Sequence, residues 1–171
     1  MGTKLFRDIN FPSSRSFILD RLMIILSTKM RYVFFFVFIV MWFKKSCKKI
    51  SFESGVSVIF ACISHFLIKL VYFKPRPFLK RKVGILIPSK TDSSFPSKHT
   101  ILVFAFSTTL IFYRRFLGSI MSVLSFLTGL SRIWVGHHYP SDIVGSAIIG
   151  SLISMVVHML ARVQKWLPEK S

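Results

Sequence analysis

At 171 residues the chain is long enough for one domain, and its 52% hydrophobic content with 19 phenylalanines takes it out of the soluble globular class. A formal net charge of +18 invites a nucleic-acid reading, but the basic residues lie between long apolar runs, with no soluble basic domain to dock on a duplex. Cations that flank membrane spans and meet anionic head groups account for the same charge.

In chain order, Lys4 and Arg7 come first, and no apolar stretch follows them before Asn10, Pro12 and Ser13. That is not a signal peptide, and residues 1–20 read as an N-terminal interfacial segment. A spanning helix needs ~20 mostly apolar residues, and five candidates follow: 22–43, 52–73, 100–113, 117–135 and 143–163. The first carries Lys29 and Arg31, which suggests an interfacial helix to about Ser27 and a shorter span after it, in a broken or six-helix arrangement. The third is short for a bilayer and is expected to start at Pro96 or Ser97. The whole therefore reads as one all-α, membrane-embedded bundle of five to six helices covering residues 1–171.

Between the spans lie Lys44, Lys45, Lys48 and Lys49, then Arg114 and Arg115, while Arg162, Lys165 and Lys170 follow the last one. The positive-inside rule assigns these to the cytoplasm. The loop 74–95 and the turn 131–142 then face outward, although that loop is itself basic. Either way, two crossings separate the loop 74–95 from the turn 131–142, so these polar segments meet at one surface. Cys47 lies in the lysine cluster and Cys62 in an apolar run, which gives neither a disulfide framework nor a zinc site.

Three polar islands interrupt the apolar runs. In the first, Lys69 and Arg76 are seven residues apart, close to two helical turns and nearly one face if the helix continued. Pro75 and Pro77 end it, so Arg76 projects from its rim. A snorkelling lysine and a cationic cap explain the same pair without chemistry. In the second, Pro96 reads as a first-turn proline, followed by Ser97 and His99 at a helix end suited to anions. Ser97 adds a hydroxyl donor, and His99 can deliver a proton; ordinary capping also fits.

The third island carries the most. Pro140 opens a helix, placing Asp142 in its first turn, four residues after His138. A carboxylate there can reach back across the cap and is expected to accept a bond from one ring nitrogen of His138, leaving the other nucleophilic. Arg132 supplies a planar fork for phosphate oxygens and Ser131 a further donor. A membrane-edge turn with a capping aspartate is the plainer alternative. The six acidic residues are all isolated from one another, whereas magnesium and calcium sites recruit carboxylates. The expected chemistry is thus metal-free and cofactor-free phosphoryl transfer by fixed cations, helix N-termini and histidines. His65 and His158 read as packed histidines, and Trp134 as an interfacial or packing aromatic.

Together the islands read K-x6-R-P, P-S-x-H and S-R-x5-H-x3-D. This pattern resembles the three-part signature of the type 2 phosphatidic-acid phosphatase superfamily. More narrowly, LVYFKPRPF, SFPSKHT and SRIWVGHHYPSDIVGS are similar to the bacitracin-resistance type of undecaprenyl-diphosphate phosphatase. The resemblance implies about six helices in a bacterial cell membrane, with the site at the outer leaflet. It implies that His138, rather than His137, is the nucleophile, that Asp142 orients it, and that His99 protonates the leaving group and then activates water. It makes Lys69, Arg76, Ser97 and Arg132 phosphate ligands. Undecaprenyl diphosphate is the implied substrate, with other lipid phosphates, or a non-catalytic lipid-binding subunit, as alternatives. Lys98 departs from the glycine or aspartate common in such sequences; its charge should disfavour protonated His99, or it adds a contact to a diphosphate. Membrane lipids are the expected surroundings, nucleic acid is not a partner, and no oligomeric state follows.

Overall fold

The structure, a computed structural model, describes residues 16–80, 86 and 92–164. All of the described regular structure is helical: α1 (Phe17–Phe43), a 3-10 turn (Lys45–Cys47), α2 (Lys48–Val71), a short α3 (Pro77–Lys80), α4 (Lys98–Tyr113), α5 (Arg115–Trp134) and α6 (Pro140–Gln164). Five of these are bundle helices, and α1, α2, α5 and α6 are each long and apolar enough to cross a membrane. The expected segment 1–20 falls largely outside the described residues, and its last positions, from Phe17, belong to α1.

Helix α1 runs unbroken, contrary to the expected interruption near Ser27. Lys29 is exposed, where a long cationic side chain carries its charge away from apolar surroundings, Arg31 lines a groove between α1 and the next helices, and buried Ser27 accepts from Arg132 across the bundle (2.9 Å). Helix α2 stops at Val71, before the Pro75-Arg76-Pro77 segment, so Lys69 is helical while Arg76 lies outside any helix. Helix α4 begins at Lys98 with Ser97 as its N-cap. Pro96 therefore stands outside the helix, not in its first turn, and follows a cis peptide bond.

Helix α4 is the hub, packed against α2, α5 and α6, while α1 leans mainly on α5 and α2. Its approach to α6 is close because Gly150 lies against the backbone of Ile101 and Ala105, leaving no room for a side chain. The interior is laced with hydroxyls. Thr109 bonds Ser57 (3.2 Å) and Ser154 (2.8 Å), joining α2, α4 and α6, and Ser125 bonds Ser107 (3.2 Å) between α5 and α4. Large apolar residues such as Phe35, Phe66, Val123, Ile148 and Leu152 face outward, as lipid contact requires.

Chain direction alternates so that the ends of α2 and α5 and the starts of α1, α4 and α6 share one end of the bundle. All three polar islands lie there. Lys44, Lys45, Lys48, Lys49, Arg114, Arg115 and Arg162 are exposed at the other end.

Candidate active site

Local rules build the third island. Helix α5 closes with Gly136 at φ 81°, a left-handed conformation that glycine adopts freely. The amide of Gly136 donates to Ile133 O (3.0 Å) and that of His137 to Arg132 O (3.1 Å), the paired bonds of a glycine C-cap. The chain reverses and presents His137 and His138 directly above the next helix start. Pro140 opens α6 as expected, and Asp142 in its first turn accepts the backbone N–H of Tyr139 (3.1 Å).

The partner of His138 differs from the expected one. Its Nδ1 lies 2.6 Å from the carbonyl oxygen of Ser94, not on Asp142. The Asp142 carboxylate, fully buried, instead accepts from the Ser94 hydroxyl and from Lys74. Asp142 thus reaches the imidazole through Ser94: one residue gives its hydroxyl to the carboxylate and its carbonyl to the ring. A carbonyl only accepts, so Nδ1 carries the proton and Nε2 the lone pair. Burial first, then the charges of Arg132 and Arg76, hold the His138 pKa well below the ordinary imidazole value.

The first island is drawn in by an acid. Asp92 accepts from Lys69 (2.6 Å) and from Arg76 through Nε (3.0 Å) and Nη2 (2.6 Å). Burial alone would raise this carboxyl, but the bonds from Lys69 and Arg76 outweigh it and keep the pKa below the usual range. Arg76 is itself buried and also reaches His137 O (3.4 Å). Lys74 anchors the same corner: its backbone accepts from Ser94 N (2.7 Å) and donates to Ser93 (3.1 Å), while its ammonium also meets Ser141 (3.1 Å).

Arg132 is buried, with Nη1 on Ser27 and Nε without an acceptor among the described residues, a donor set suited to an oxyanion. His99, half-buried in the first turn of α4, lies within electrostatic reach of Arg132 and His137. Ser97 is fully buried; its amide donates to Ser146 (2.8 Å), and its hydroxyl accepts from Thr100 (3.1 Å) and keeps its own proton to donate. Ser131 does not join the set, because its hydroxyl bonds Thr128 O (2.7 Å) within α5. Lys69, Arg76, Ser97, His99, Arg132, His138 and Asp142 are therefore gathered at one end of the bundle. Sequence spacing missed Lys74, Asp92 and Ser94. The only available signal was an isolated acid in an otherwise basic loop, just ahead of the second island.

The chain matches the PAP2 superfamily over residues 51–166. It is 34% identical over 158 residues to "Undecaprenyl-diphosphatase BcrC" of Bacillus subtilis (strain 168), covering 91% of this chain and 82% of that protein. It is 31% identical over 161 residues to an undecaprenyl-diphosphatase of Sulfolobus acidocaldarius, covering 91% and 76%. Aquifex aeolicus LpxE superposes with a TM-score of 0.81 at 26% identity, over 92% of this chain and 94% of that one. A transmembrane PAP2 type phosphatidylglycerolphosphate phosphatase from Bacillus subtilis shares the fold, with a TM-score of 0.74 at 17% identity over 98% and 87%.

Proposed function

The chain belongs to the PAP2 superfamily, and we propose from this that it hydrolyses undecaprenyl diphosphate to undecaprenyl phosphate and inorganic phosphate. It is a multi-pass membrane protein, and its four long apolar helices suit a substrate delivered from the bilayer. The observation that carries the reading is the buried His138, with its Nδ1 proton committed to Ser94 and two arginines acting on the ring. Such an imidazole is neutral, oriented and surrounded by charge complementary to phosphate.

In the proposed first step, the Nε2 lone pair of His138 attacks the terminal phosphorus. The bridging P–O bond breaks, the lipid monophosphate departs, and His99 supplies a proton to it. Water then attacks the phosphohistidine, His99 accepts its proton, and orthophosphate leaves with His138 restored. Lys69, Arg76, Ser97 and Arg132 hold the equatorial oxygens through the pentavalent state. Asp142 positions the nucleophile through Ser94. Asp92 yields Lys69 and Arg76 to the incoming phosphate. The lysines and arginines at the opposite end of the bundle favour a cytoplasmic location for that end, so the site serves the extracytoplasmic face. Recycling of this carrier lipid would raise tolerance to bacitracin, which sequesters the diphosphate.

The test is phosphate release from undecaprenyl diphosphate by purified protein in excess chelator, wild type against His138→Ala. The variant should lose at least about a thousandfold. Turnover that depends on added magnesium, or that survives the substitution, contradicts the mechanism. The likeness to a lipid A 4'-phosphatase of Bacteroides thetaiotaomicron, 31% identical over 53% of this chain and 51% of that protein, supports a second reading, in which another lipid phosphate is the preferred substrate. Competition between undecaprenyl diphosphate, phosphatidylglycerophosphate and phosphatidic acid separates the two. Binding without turnover would identify a lipid-binding subunit instead.

A further inference from the structure

Beside His99 a cavity of about 540 Å³ descends between α1, α2 and α4, a size that suits a small-molecule site. Two cations, Arg31 and Lys98, line it together with His99, and the rest of its wall is apolar, with Phe34, Phe38 and Phe106 among the lining side chains. Phe35 and Ile59, also in the lining, are largely exposed, so the groove opens sideways toward lipid.

The placement is ordered along the helices. Ser27, which holds Arg132, is one turn above Arg31 on α1, and Phe34 and Phe38 continue the same stripe downward. On α4, Lys98 and His99 come first, and Leu102, Val103 and Phe106 lie one and two turns deeper. Both Arg31 and Lys98 act electrostatically on His99. A cation within a spanning helix is expensive and is kept where it meets an anion. Neither Arg31 nor Lys98 has a carboxylate partner among the described residues; Arg31 bonds only the neighbouring Tyr32 hydroxyl (3.2 Å).

We propose that Arg31 and Lys98 form a second phosphate subsite, which binds the lipid-proximal phosphate of a prenyl diphosphate while its tail descends the phenylalanine-lined groove. The assignment rests on the phosphatase reading above. It accounts for the side of the site involved: His99 faces the leaving group, and the groove begins at His99. It also fits the chemistry of that group. A leaving phosphate, whose second pKa is about 6, departs as an anion and is stabilised by fixed cations. A leaving alcohol departs neutral once protonated and gains nothing from the two cations. The pair therefore favours diphosphates over monophosphates of the same lipid.

The experiment compares kcat/KM for farnesyl diphosphate and farnesyl monophosphate in detergent, for wild type, Arg31→Gln, Lys98→Gln and the double variant. The ratio of the two constants is the readout, so partial loss of folded protein cancels. Each single variant should lower the diphosphate-to-monophosphate ratio about tenfold and the double variant further. A ratio that falls in neither single variant overturns the subsite. For the tail, Gly55→Leu places a side chain against Phe38, whose ring lies 3.6 Å from a Cβ built there. It should raise KM for farnesyl diphosphate relative to isopentenyl diphosphate; an unchanged relative KM removes the groove from the proposal. Wild-type protein that releases phosphate from neither lipid refutes the phosphatase reading itself, a result distinct from an unmoved ratio.

Discussion

Among the described residues each end of the bundle buries one carboxylate, and the two keep different company. Asp142 meets an ammonium, a hydroxyl and a backbone N–H, all belonging to irregular segments around His138. Glu53, at the far end, accepts from the Tyr113 hydroxyl and pairs with His158 Nδ1 at 2.7 Å. The His158 ring is stacked on Phe112 at 4.3 Å and edge-on to Tyr113 at 5.3 Å. Glu53 thereby ties α2, α4 and α6 together through side chains that are themselves packed. Asp142 organises irregular chain around the buried His138, whereas Glu53 bolts helices together. What a buried acid does is set by whether its partners belong to rigid helices or to loops that must be held open.

The sharpest way to break this contrast is to neutralise each acid. Asp142→Asn should lower kcat roughly 100-fold, less than the ~10⁴ lost when a carboxylate bonded directly to a catalytic histidine is neutralised, because Ser94 still holds the ring. Glu53→Gln should leave kcat within about threefold but reduce stability by about 1–3 kcal/mol, read as a lower thermal midpoint in detergent. Equal kinetic losses at both positions would erase the distinction.

A milder intervention acts on Asp92, which holds Lys69 and Arg76, the proposed phosphate ligands. Asp92→Asn should tighten inhibition by inorganic phosphate roughly tenfold, about 1.4 kcal/mol; weaker inhibition would make Asp92 a positioner of Lys69 and Arg76 instead. The pH profile tests His138. Its depressed pKa keeps the ring neutral as pH falls through 6.5, so the acid limb of kcat/KM assigned to it should have its midpoint below that value. A midpoint at or above 6.5, abolished in no other variant, would contradict the burial argument. Smallest of all, Ser57→Ala removes one interhelical hydroxyl contact far from the chemistry and should cost about 0.6 kcal/mol with no change in kcat.

The helices were legible because long apolar runs have few alternatives, and the common end of the three islands followed from counting crossings. The start of α6 and the backward reach of Asp142 were legible too, since proline and a first-turn carboxylate act over three or four residues. What could not be read depends on distant segments. Ser94 meets His138 across 44 positions and Asp142 across 48, and Lys74 meets Asp142 across 68. No local spacing encodes such pairs. The expected break in α1 failed for a related reason: the residue that steadies Ser27 is Arg132, 105 positions away. Pro96 misled because a proline before a serine N-cap and a first-turn proline differ by two residues, within the ordinary uncertainty of helix ends.

The brevity of α4 has a further consequence. Its 16 residues rise about 24 Å, several ångströms short of the ~30 Å hydrocarbon slab that its neighbours cross. His99 sits in its first turn, so the site proposed above would lie recessed beneath the headgroup plane. A molecule tethered in the leaflet by its own chain sinks only slightly to enter, whereas a freely dissolved ester must abandon bulk water to do so. At the proposed site, the height of one central post would thus sort incoming molecules by the phase they arrive from, before any cation reads their charge.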